Sequence, residues 1–127
     1  MKTIVYRCIS AAAAVIAAIA FFSHEMAFTN VSEIPGLCLM YLVTAMGVHN
    51  LVTSFYGRPT ALAPSAGGLV VMLMSACHIQ YLFENAFSYV PPAAIISPVF
   101  AFAVTTIICF LRLIVELGIA KRRSINS

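Results

Sequence analysis

The chain has 127 residues, 62% of them hydrophobic and only 9% charged, with a mean hydropathy of +1.01. Soluble domains carry about 25% charged residues, so this composition excludes a soluble globular domain and leaves lipid to cover the surplus apolar side chain. The net charge of +3 comes from basic residues gathered near the ends of apolar runs, where they report orientation and argue against a nucleic-acid partner.

The first apolar run extends from about Thr3 to Phe22. Its Ala18-Ile19-Ala20 has the A-x-A form of a signal-peptide cleavage site. The apolar run continues through Phe21 and Phe22, however, and the segment before it is partly apolar, which favours an uncleaved span. Ala11, Ala14, Ala18 and the neighbouring Ala12, Ala13 and Ala17 make this helix smooth enough for close packing. His24 and Glu25 follow it as a candidate outer pocket.

The second run, about Ile34–Tyr56, comes after "TNVSEIPG" and carries His49 and Asn50, with Ala45, His49 and Thr53 on one i, i+4 row. Gly47 and Ala45 permit a close backbone approach to a neighbouring helix. The third run, about Gly67 to Phe83, ends in the polar stretch "MSACHIQYLFENAF". At 100° per residue, Gln80, Glu84, Cys77, Tyr81, Asn85 and His78 share an arc of about 160°, with Ile79, Leu82 and Phe83 opposite. This pattern predicts a polar face turned toward the other helices and an apolar face turned to lipid.

The fourth run, about Ile95 to Leu117, follows "YVPPAA"; Pro98 lies in its first turns and is expected to kink it. Arg112 and Glu116 are four apart near its end and are read as a structural pair on one face. Tyr6, Tyr41, Phe55, Tyr56, Tyr81, Phe83 and Tyr89 are placed like interfacial aromatic belts.

Each run approaches the ~20 residues that cross ~30 Å of hydrocarbon. With both termini inside, Lys2, Arg7, Arg58, Arg112, Lys121, Arg122 and Arg123 all fall on the cytoplasmic side, while Glu25, Glu33 and Glu84 fall outside. The expected architecture is therefore an all-α membrane protein. It is a single integral domain over residues 1–127, a four-helix transmembrane bundle with cytoplasmic N- and C-termini in a cell membrane such as the bacterial inner membrane.

Ionisable residues inside such a bundle are the default functional candidates. They define a candidate polar track of His49, Asn50, His78, Gln80 and Glu84. Counting helical rises puts His49 and His78 about 10 Å apart in depth, too far to ligate one metal or one haem together. Neither a metal motif nor a cofactor fingerprint is visible, and Cys8, Cys38, Cys77 and Cys109 form no CxxC. No catalytic motif appears either, so no enzyme is expected.

Two function classes remain. One is a non-catalytic interaction or accessory protein (a subunit, an assembly factor or an immunity-type protein) with a membrane-protein partner or a second copy of itself. The other is a small proton- or solute-coupled transporter using the polar track through helices two and three. The fourth span shows no visible continuation of that track, which favours the first class.

Overall fold

A computed structural model describes residues 2–25, 34–85 and 92–126. Among them the chain is all-helical, with four helices long and apolar enough to cross a membrane. α1 spans Lys2–Ala20 and passes into a π-helical turn, Phe21–Glu25; α2 spans Ile34–Tyr56, α3 Leu62–Asn85 and α4 Pro92–Asn126.

The boundaries have local causes. α2 stops at Tyr56 because Gly57 adopts φ 70°, a left-handed conformation that glycine reaches without strain, and its N–H caps the Thr53 carbonyl at 2.8 Å. α3 begins five residues before the expected Gly67, because Pro64 falls in its first turn, where a missing N–H costs nothing. α4 runs for 35 residues, or about 52 Å. It starts on Pro92 and continues beyond the expected Leu117 through Lys121, Arg122 and Arg123. Pro98 lies inside it, with no N–H to give the carbonyl one turn back.

α2 is the hub of the fold. α1, α3 and α4 each pack against it, and α3 also packs against α4, whereas α1 makes no comparable packing with α3 or α4 among the described residues. Arg7 of α1 reaches Ser54 near the far end of α2, so those two helices are antiparallel. Met46 and His49 of α2 meet Arg112 and Glu116 of α4 in matching order, so α2 and α4 are parallel. The starts of α1 and α3 therefore share one end of the bundle with the ends of α2 and α4. All seven basic residues lie in the segments at that end or in the half of α4 leading to it.

Small residues set the closest approaches. A Cβ built on Gly47 would stand 2.7 Å from both the Ala14 Cβ and the Ser10 carbonyl oxygen. The buried row of α1 is thus Ser10, Ala14 and Ala17, one register away from the Ala11–Ala14–Ala18 row that the alanines invite. On another side of α2, a Cβ on Gly67 would stand 2.9 Å from the Ala45 carbonyl oxygen. Helices brought this close gain dispersion contacts along their backbones, which is how apolar helices associate without water to drive them together.

The core is a cluster of Phe21, Leu37, Tyr41, Ala45, Val71, Met74, Ala101 and Cys109. Tyr41 departs from its expected interfacial place: it is fully buried, its ring edge-on to Phe21 at 5.3 Å between centroids. Its hydroxyl is buried near Ser75 without closing a hydrogen bond among the described residues, so packing of the ring decides its place. Much of the remaining apolar side chain faces outward, including Ile9, Ile16, Ile19, Leu73, Ile107 and Ile114.

All four cysteines are free thiols, with Cys8 and Cys77 exposed, Cys38 half-buried and Cys109 buried. Their reactivity should accordingly be graded. A small membrane-permeant maleimide should label Cys8 and Cys77 first and Cys109 only on unfolding, because the thiol must be reached before it can react. Mass spectrometry of labelled peptides over time reads the order; early labelling of Cys109 would contradict the packing of α4.

Candidate functional site

Met46, His49 and Asn50 lie at i, i+3 and i+4 and so form one strip of α2. Opposite them, Arg112 and Glu116 form an i, i+4 row on α4. The two strips lock together. His49 Nε2 stands 2.8 Å from Glu116 Oε1, and Arg112 Nε stands 3.4 Å from the same oxygen. Arg112 also donates to Met46 Sδ at 3.1 Å and to Asn50 Oδ1.

The arrangement fixes the roles of its groups. A carboxylate oxygen accepts, so His49 donates to Glu116 through Nε2–H, and Nδ1 is left to carry a lone pair or a second proton. That Nδ1 is buried and has no hydrogen-bond partner among the described residues. A lone pair left bare is a smaller loss than an imidazolium N–H left without an acceptor. The guanidinium and the carboxylate balance in charge, which lets the cluster sit at a helix interface.

The cluster is asymmetric in access. His49 is fully buried, whereas the Glu116 side chain keeps 23% of its exposure. Glu116 also lines a groove of ≈ 270 Å³ with Pro59, Ile119, Ala120 and Arg123. The carboxylate is thus the open side of the cluster and the imidazole its closed side. Among the described residues no three His, Cys, Asp or Glu side chains gather to hold a metal ion.

The polar stretch of α3 does not turn inward as a unit. His78 is fully buried, with the Phe21 ring edge-on at 5.6 Å. Gln80 and Glu84 are instead exposed, hydrogen-bonded to each other at 3.0 Å. Leu82, expected to face lipid, is buried, while Phe83 is exposed and Ile79 half-buried. The inward strip of α3 is Val71, Met74, Ser75, His78 and Leu82, an ordinary i, i+3, i+4 stripe that takes one histidine with it and leaves the glutamine and glutamate outside.

His49 and His78 consequently occupy separate layers. Phe21 links His78 to the level of Tyr41, eight residues or about 12 Å along α2 from His49. Between the two levels on α2 lie buried Ala45 and Thr44, the latter's hydroxyl given to the Met40 carbonyl at 2.8 Å. The candidate track His49, Asn50, His78, Gln80, Glu84 is therefore divided: the first pair joins α4, His78 joins an aromatic layer, and the last pair faces out. The side chains of His24 and Glu25 lie outside the described residues.

Sequence reasoning separated Arg112 and Glu116 from the histidine they hold. The signal was present as a charged i, i+4 pair within an apolar helix, but naming His49 as its partner required knowing that α2 and α4 run parallel in contact. Comparison with known protein families, with characterised proteins and with solved structures found nothing that matches this chain.

Proposed function

We propose that this chain is a four-span protein of a cell membrane, such as the bacterial inner membrane, with both termini cytoplasmic. Its role on this reading is non-catalytic: an accessory subunit, an assembly factor or an immunity-type protein acting through contact with another membrane protein. The carrying observation is that the two buried histidines are held apart, His49 against Glu116 of α4 and His78 against the Phe21 ring. A hydrophilic route joining them would have to pass Thr44, whose hydroxyl is already given to the Met40 carbonyl at 2.8 Å, and the buried methyl of Ala45. The one-sided seating of α1 adds support. Its inner row packs on α2, and Ile9, Ile16 and Ile19 remain exposed, a surface suited to lipid or to a partner helix.

Proton- or solute-coupled transport is the second reading, and the groove reaching Glu116 in front of His49 is what favours it. One pair of experiments separates the two. Reporter fusions at residue 60 and at the C-terminus should read cytoplasmic, and fusions near Ser32 and Ser88 external, as the positive charges require. Purified protein in liposomes should then pass no protons under a pH gradient beyond empty vesicles. Flux that His49→Leu abolishes would overturn the accessory role in favour of transport.

A further inference from the structure

Where α1 begins and α2 finishes, a groove of ≈ 500 Å³ is lined by Lys2, Thr3, Tyr6, Thr53, Ser54 and Gly57. Its side chains are an ammonium and four hydroxyls, all able to donate, and among the described residues no carboxylate lines it. Two details give the groove its sign. Arg7 Nε donates to Ser54 Oγ at 2.8 Å and its Nη2 to the Ser54 carbonyl oxygen at 3.2 Å. Ser54 therefore keeps its own proton to give, with a fixed cation behind it. That guanidinium is held in place over the Phe55 ring, 4.1 Å from its centroid.

The second detail is Thr53. Its Oγ1 is buried and has no hydrogen-bond partner among the described residues, and at the wall of a groove such a hydroxyl has its proton to give to a water or to an atom of another molecule. The floor is open as well, since a Cβ on Gly57 would meet nothing within 4 Å.

We infer that this groove binds the phosphate group of an anionic phospholipid. A cluster of donors beside two cations selects an oxyanion, and a phosphate offers several acceptor oxygens in divergent directions. The lipid source follows from the flanks. Ile4, Val5, Phe55 and Tyr56 are exposed beside the groove in sequence, so a molecule with its phosphate among the hydroxyls can lay acyl chain on apolar side chain. The groove also lies at the basic end of the bundle, the end that faces anionic headgroups when the chain spans a membrane. The inference rests on that membrane reading and is independent of the accessory role.

The test uses full-length protein, stripped of lipid in a neutral detergent. Phosphatidylglycerol and phosphatidylcholine with the same acyl chains are titrated and followed by native mass spectrometry, with inorganic phosphate as a third arm. Phosphatidylglycerol should bind about tenfold or more tightly than phosphatidylcholine, and Thr53→Val and Lys2→Gln should each weaken it about tenfold, the loss expected for one charge-assisted hydrogen bond. Thr53→Val should leave the unfolding midpoint of the lipid-free protein unchanged, because its hydroxyl bonds nothing among the described residues. Equal binding of the two lipids, or unchanged affinity in both variants, overturns the site. Inorganic phosphate binding as tightly as phosphatidylglycerol overturns the lipid and leaves a soluble phosphate compound as ligand. Neither result depends on proton flux, so failure here is distinguishable from failure of the functional reading.

Discussion

Gly47→Leu is expected to separate α1 from α2 and destabilise the protein by about 3 kcal/mol, the upper end of what overpacking costs. The reason is what the added atoms meet. A Cβ at this position stands 2.7 Å from the Ala14 Cβ and from the Ser10 carbonyl oxygen, and neither belongs to a flexible side chain that can swing away. The helices must move apart, and among the described residues α1 has no comparable packing on α3 or α4 to hold it. Gly47→Ala already builds the clashing atom and should cost a large part of the same amount. Gly118→Ala is the control: nothing lies within 4 Å of its Cβ position, and alanine in a helix should gain about 0.5–1 kcal/mol over glycine. Unfolding titrations from mild detergent into dodecyl sulfate compare the three. A Gly47→Leu midpoint equal to wild type would show that α1 does not pack there.

Glu116→Leu should be the most damaging change within the polar cluster. It takes away the acceptor of His49 Nε2 and the counter-ion of Arg112 in one step, leaving a buried imidazole unpartnered at both nitrogens and a guanidinium uncompensated. A single interhelical hydrogen bond in a membrane averages only ~0.6 kcal/mol, whereas breaking a fully buried ion pair costs about 3–5 kcal/mol. Glu116 is partly exposed, so a loss of about 2 kcal/mol is expected, between those limits. Glu116→Gln keeps an oxygen for His49 and loses only the charge, so it should fall between wild type and Glu116→Leu. A double-mutant cycle with His49→Leu should give a coupling of about 0.5 kcal/mol or more. Strict additivity of the two substitutions would mean that His49 and Glu116 do not hold each other.

Much of the fold can be read from the chain alone, and the reasons are local. Each helix announces itself as an apolar run of spanning length between prolines and glycines, and α2 begins and ends where that pattern places it. Charge does the same for direction: an even number of spans puts Lys2, Arg7, Arg58 and the final basic cluster at one end without any tertiary information. Gly47 and Ala45 are legible as points of close approach, because only small residues leave room for a neighbouring backbone.

Which neighbour each face meets is not local. Helical periodicity fixes the angle between His78 and Gln80 but not the direction in which the pair points. The close crossing of α2 and α3 at Ala45 and Gly67 accompanies an inward strip through Val71, Met74 and His78, leaving Gln80 and Glu84 to each other. Tyr41 is read as interfacial from sequence because its hydroxyl favours a wet surface, yet the bundle buries the ring edge-on to Phe21. The pairing of His49 with Glu116 joins residues 67 apart in the chain. α1 and α3 take two sides of α2, and the strip left over, Met46, His49 and Asn50, lies against the parallel α4 at the height of Arg112 and Glu116. The sequence alone determined the helices and their charge asymmetry; only the crossing geometry decided which buried polar groups would meet, because side-chain angle is set within a helix and contact is set between helices.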